Sequence, residues 1–146
     1  MKVSAADLFV KVRERKPLVH QITNFVTVND CANATLAIGG SPVMTSSPRE
    51  VADMVKLADA LVLNFGTIDD KALEAMEIAG KTANALDIPV ILDPVGVGAT
   101  SYRTEQVKEL LSKVTFQIIR GNASEIHRLM GGDIVTRGVD SGELPI

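Results

Sequence analysis

An α/β fold with a mainly parallel sheet is predicted for this chain of 146 residues, on three observations. Short unbroken apolar runs such as ALVLN at 60–64 and VILD at 90–93 end on polar residues. Longer segments with apolar residues at helical spacing separate them, and Gly, Pro or Asn punctuates the junctions. Continuous apolar strands alternating with amphipathic helices are what a parallel sheet needs, because helices then cover both of its faces. The crossovers between successive strands are expected to be right-handed.

The elements follow in order. Ala5, Leu8 and Val12 fall on one face of a first helix, which Pro17 terminates because proline lacks the donor and restricts the residue before it. LVHQITN at 18–24 reads as a short strand that delivers Thr23 and Asn24 to its mouth. A helix over about 29–38 places Cys31, Thr35 and Ile38 together, and Gly39 with Gly40 stops it. SPVMT at 41–45 is a short strand or extended loop. Ser47 is read as the cap of the next helix, with Pro48 in its first turn and Val51, Met54, Val55 and Ala58 as its buried stripe. After a break at Asp59, ALVLN forms a strand with Asn64 and Gly66 at its exit. Ala72, Leu73, Met76, Ala79, Ala83 and Leu86 recur at helical spacing before Pro89 and the VILD strand. A further helix is expected from about Thr104 through Val107, Leu110 and Leu111, then a strand in FQIIRGN and the start of a helix in SEIHRLMG.

Composition narrows the function. Hydrophobic residues are 46% and charged residues 23%, which excludes a disordered chain. Fifteen basic and eighteen acidic residues leave a net charge of −3, with no electrostatic pull toward nucleic acid or an anionic membrane. One cysteine forms no internal disulfide, and no run of eighteen apolar residues exists, so a cytoplasmic location is the expectation. The stretch GVDSGELPI closes on Ile146 without a helix to cover what precedes it, so the sequence is expected to be incomplete.

In a parallel sheet the carboxyl ends of the strands open onto one edge, where ligands bind. Four polar exits should converge there: Thr23 with Asn24, Asn64 with Gly66, Asp93 with Gly96 and Gly98, and Arg120 with Asn122. Asp93 can place a carboxylate near Mg2+ or its waters, while the glycines bare backbone donors to a phosphate; equally, Asp93 can cap the turn of Pro94 and Gly96. In RGNASE, Asn122 and Glu125 stand three apart. Arg120 and the helix start favour phosphate, and Glu125 can reach a metal through water. The same spacing also writes a capping box, in which one Glu oxygen caps and the other faces water. Cys31 reads as an inert core thiol, His20 as a structural strand histidine near the ligand edge, His127 as solvent facing, and Met44 as either a ligand contact or a gap filler. Neither GxxxxGK[ST], zinc-ligand spacing nor GxSxG is present.

PLVHQITNFVTVNDCANATLAIGGSPVMT, ADALVLNFGT, PVILDPVGVGAT and IIRGNASEI, in this order, resemble the hydroxyethylthiazole kinases within the ribokinase-like group. The resemblance implies a three-layer α/β/α fold, with 1–146 as the amino-terminal part of one kinase domain. It implies ATP- and Mg2+-dependent phosphorylation of the alcohol of 4-methyl-5-(2-hydroxyethyl)thiazole in thiamine salvage, and a homotrimer with thiazole sites near subunit boundaries. Carried over, Asn24, Met44 and Gly66 look like thiazole-pocket residues, Asp93, Arg120 and Asn122 like nucleotide contacts, and Glu125 with Asp93 like metal contacts. The family's catalytic Cys or Asp belongs to a later glycine-rich segment. No catalytic residue is assignable in 1–146, and these residues alone are expected not to turn over. A kinase for another vitamin-related alcohol, and a ligand-binding or assembly module, are the alternative readings.

Overall fold

A computed structural model describes residues 4–132; the GVDSGELPI stretch lies outside the described residues. The elements run α1 Ala5–Arg15, β1 Leu18–Ile22, α2 Val28–Ile38, β2 Ser41–Val43, α3 Val51–Val55, β3 Ala60–Asn64, α4 Asp70–Ala85, β4 Val90–Asp93, α5 Ser101–Lys113, β5 Ile118–Ile119 and α6 Ala123–Leu129. All five strands pair in parallel, in the order β2-β1-β3-β4-β5. The α/β class and the strand positions expected from the sequence are therefore observed.

With right-handed crossovers, the single leftward step from β1 to β2 puts α2 on one face, and the rightward steps put α3, α4 and α5 on the other. The two faces are not equally filled. Leu61, Leu63, Val90 and Leu92 of the strands are buried with Val51, Val55, Ala75, Met76, Ala79, Ala83, Val107 and Leu110 of α3–α5. Each fully buried Val or Leu here contributes roughly 1.5–3 kcal/mol. By contrast, α1 and α2 bury no residue among those described, so the predicted stripe of Ala5, Leu8 and Val12 forms a helix face without becoming core. Leu8 is 53% exposed.

Other boundaries differ for identifiable reasons. Ser47 does not cap through its side chain: its carbonyl accepts from the Glu50 and Val51 amides in a turn, and α3 begins only at Val51. α5 starts at Ser101 rather than near Thr104, because the Thr100 hydroxyl accepts from the Arg103 amide and caps it there. Leu86 stands after the last residue of α4 and is exposed. FQIIRGN contributes only two strand residues, both exposed at the described sheet edge.

Candidate functional site

The strand order reverses between β1 and β3, and in open α/β sheets the crevice at such a switch point takes the ligand. A cavity of about 640 Å³ lies there, with Ile22, Phe25 and Met76 as apolar lining and Ser46, Thr67 and Arg49 among its polar groups. Phe25, which lines it, and the adjacent Val26, both in the turn after β1, stand 78% and 73% exposed. Asn24, Met44 and Gly66 do not line this cavity, although Thr23 and Phe25 beside Asn24, Thr67 beside Gly66, and Ser46 two residues after Met44 do.

The sheet register explains how the four polar exits meet. Asn64 stands opposite Asp93 across β3 and β4, so their side chains share a face. The Asn64 Nδ2 donates to Asp93 Oδ2 at 2.8 Å, and Arg120 Nη2 donates to the same oxygen at 3.0 Å. On its other side, Asn64 Oδ1 accepts from Gly66 N at 2.8 Å and from Asn24 Nδ2 at 3.0 Å. Asn24 Oδ1 in turn accepts from the backbone and hydroxyl of Thr27, each at 3.0 Å. A continuous polar chain thus joins the exits of β1, β3, β4 and β5. The carboxylate, an acceptor only, dictates which way the Asn64 amide points.

Above this chain, Glu125 is 5% exposed and both of its oxygens are engaged. Oε2 accepts from Asn122 N at 2.9 Å and Asn122 Oδ1 accepts from Glu125 N at 2.9 Å, forming the expected capping box. The second oxygen does not face water: Oε1 accepts from Gly96 N at 2.9 Å. The turn that presents this amide has Gly96 at φ 73 and Gly98 at φ 92, left-handed conformations that side chains disfavour. Asp93 therefore serves the polar chain beside a loop whose amides are already engaged, Gly96 N by Glu125 and Gly98 N by Thr104 Oγ1, so the glycines do not present the bare donors expected from the sequence.

Arg103 was not foreseen from the sequence. From the first turn of α5 its Nη1 donates to the carbonyls of Phe65 and Val95, the latter at 3.0 Å, and its Nη2 to Gly66 O at 2.9 Å. The available signal was an arginine one turn into the helix that follows a glycine-rich loop.

His20 is fully buried on β1, and its Nε2 lies 2.8 Å from Thr45 O. A carbonyl only accepts, so Nε2 carries the proton and Nδ1 is a bare lone pair, buried with no partner. Burial pushes the His20 pKa below its ordinary value, opposed by the Thr45 bond and the Glu50 charge. His20 is structural, as expected, and ties down the loop that carries Met44. Met44 is half-buried. Cys31 is half-buried on α2, its Sγ 3.8 Å from Thr27 Oγ1, and so is not the core thiol expected. His127 is also half-buried: its ring lies against Gly132, not simply in solvent.

Fold and site together define a doubly wound α/β protein with a crevice at the carboxyl edge of its sheet. A receiver domain of the sensor histidine kinase PA1611 from Pseudomonas aeruginosa shares this fold alone, at TM-score 0.52 and 12% identity over 78% of this chain and 93% of that chain. Residues 9–145 match the hydroxyethylthiazole kinase family, and the chain belongs to it. The hydroxyethylthiazole kinase of Clostridium tetani is 58% identical over 90% of this chain and 48% of its own. That of Alkaliphilus oremlandii is 52% identical over 97% of this chain and 52% of its own. The structure of the hydroxyethylthiazole kinase protein from Pyrococcus horikoshii OT3 superposes with TM-score 0.81 and 49% identity, over 84% of this chain and 48% of that one. This chain spans about half the length of the relatives it matches.

Proposed function

We propose that the native protein phosphorylates the alcohol of hydroxyethylthiazole with ATP in thiamine salvage, its thiazole and nucleotide meeting at the carboxyl edge of the sheet. The observation that carries this reading is the unbroken chain from Asn24 through Asn64 and Asp93 to Arg120, which joins the alcohol side to the phosphate side. The Ile22, Phe25 and Met76 lining beside it suits a small, largely apolar heterocycle, with Asn24, Met44 and Gly66 on the flanking loops. Arg120, 64% exposed, is free to swing its guanidinium onto a phosphate while Asp93 orients it.

In the reaction the alcohol oxygen forms a bond to the γ-phosphorus as the bond to the β–γ bridging oxygen breaks, and ADP leaves. Arg120 would balance charge on the transferring oxygens, while the glycine loop, its Gly96 and Gly98 amides held by Glu125 and Thr104, would shape the backbone beside Asp93. Mg2+, when bound, supplies further neutralisation of the phosphate oxygens. The donor set fits such an ion. Asp93 Oδ2 is taken by Asn64 and Arg120, which leaves Oδ1 for a cation held otherwise by phosphates and water. No group of three or more His, Cys, Asp or Glu forms a metal cage among the described residues. Glu125, buried with both oxygens on backbone amides, would support the phosphate side by fixing the Gly96 and Asn122 backbone rather than by reaching the ion, and Asn122 would shape the phosphate-side turn.

A homotrimer with shared sites is part of this proposal, in which the exposed Phe25 and Val26 of the turn after β1 would be covered by a neighbouring subunit. No described helix is long and apolar enough to cross a membrane, and a cytoplasmic location is part of this proposal.

The native polypeptide, its mass first verified, should form thiazole phosphate in the presence of Mg-ATP. Phosphorylation of a different alcohol from a matched panel but not of hydroxyethylthiazole, or thiazole binding without any turnover, would overturn the assignment. Arg120→Ala should raise the KM for ATP about 10-fold with stability changed by less than about 0.5 kcal/mol, since the pair with Asp93 is exposed. Unchanged ATP kinetics would remove Arg120 from the nucleotide site.

A further inference from the structure

The geometry points to Arg103 as a positioning residue that sets the distance between the alcohol side and the phosphate side of the site. This rests on the kinase reading above. Phe65 and Gly66 begin the loop after β3, where Gly66 touches Asn24 and leads to the cavity-lining Thr67. Val95 belongs to the loop after β4, between Asp93 and the Gly96 amide held by Glu125. These two loops carry the opposite halves of the proposed site, and one guanidinium binds carbonyls of both.

The base of α5 reinforces the connection. Thr100 Oγ1 accepts from Arg103 N and Thr104 Oγ1 accepts from Gly98 N at 3.1 Å, so the turn that aims Arg103 also holds the far end of the glycine loop. Arg103 forms no ion pair among the described residues. Its acceptors are carbonyls, and these require a fork of fixed geometry more than a charge. A planar guanidinium spans two loops at once, whereas a lysine ammonium offers its three donors from one point.

In-line transfer demands that the attacking oxygen and the phosphorus be held about 3–3.5 Å apart, and a 1 Å error costs about 100-fold in rate. A clamp between the halves therefore governs kcat more than the affinity for either substrate. Arg103 itself touches neither reactant in this account.

The test compares the native protein with Arg103→Ala and Arg103→Lys. Calorimetry measures thiazole binding and the binding of a non-hydrolysable ATP analogue separately, and turnover is measured at saturation. The expected result is a kcat loss of about 100-fold in the Ala variant with each Kd within about 3-fold of the parent. The Lys variant should lose at least 10-fold, and added guanidinium ion at low millimolar concentration should restore part of the Ala variant's kcat. Unchanged kcat, or a loss accounted for by weaker binding of either substrate, would overturn the inference. Amide hydrogen exchange reads the clamp without any reaction: the amides of residues 65–67 and 95–98 should lose protection together in both variants. Retained protection in either loop would overturn it even where kcat falls. Absence of thiazole phosphorylation by the parent would defeat the kinase reading alone, since the exchange result still decides the clamp.

Discussion

Asn64→Asp is nearly isosteric yet reverses the chemistry at the centre of the polar chain. The parent amide donates to Asp93 Oδ2 at 2.8 Å and accepts from Gly66 and Asn24 through its other atom. A carboxylate keeps the second function and loses the first, placing two acceptors face to face at about the same separation. The lost hydrogen bond to a charged group is worth about 1.5–3 kcal/mol. Repulsion between the two carboxylates adds to this, and Arg120 offsets part of it at 3.0 Å, weakened by its exposure to solvent. A net destabilisation of about 3 kcal/mol at pH 7 follows, which is a urea midpoint about 1.5 M lower at a slope of about 2 kcal/mol per molar. Because two carboxylates so close share a proton readily in acid, the deficit relative to the parent should shrink by about half between pH 7 and pH 4.5. Urea titrations of both proteins at the two pH values, followed by circular dichroism, measure it. Equal midpoints at pH 7, or a deficit that does not diminish in acid, would refute the assigned direction of the Asn64 amide.

Three further outcomes are expected. In Gly66→Ala the new Cβ would lie 2.7 Å from Asn24 Cβ and 2.9 Å from its Cγ and Nδ2, so Asn24 must leave Asn64; a stability loss of about 1–3 kcal/mol and at least 10-fold weaker thiazole binding are expected, to be read by denaturation and calorimetry. Glu125→Ala strips acceptors from the Gly96 and Asn122 amides and should cost about 3 kcal/mol in urea unfolding; a cost below about 0.5 kcal/mol would show that water replaces the carboxylate. His20, with its pKa lowered in the folded state from 6.5, binds fewer protons there than in the unfolded chain. Its contribution is therefore present above about pH 6.5 and is lost as pH falls toward the folded value, by up to about 1.4 kcal/mol per pH unit. Stability measured from pH 7.5 to 5.5 should carry this slope in the parent and lack it in His20→Gln.

How much was legible in advance depended on the range over which each feature is determined. The alternation of strand and helix, the ends of β3 and β4, and the polar identity of each exit are local, because apolar spacing and chain-breaking residues write them into consecutive positions. The capping box of Asn122 and Glu125 was equally local, with the two residues three apart. The partner of the second Glu125 oxygen was not, since Gly96 is 29 residues away and reaches it only once α6 lies over the β4 exit. Arg103 likewise finds Phe65 and Gly66 at separations of 38 and 37 residues. Its sequence neighbourhood describes a helix and nothing about carbonyls on another strand. Burial went the same way: Leu8 and Cys31 have the spacing of core residues, yet the described structure sets no layer over α1 and α2 comparable to α3–α5.

The sequence by itself determined that this chain builds parallel strands with polar tips, because periodicity and turn chemistry act within a few residues. Only the tertiary structure decided which tip bonds to which, because strand order and register bring together groups far apart along the chain, and a directional hydrogen bond is satisfied by position in space.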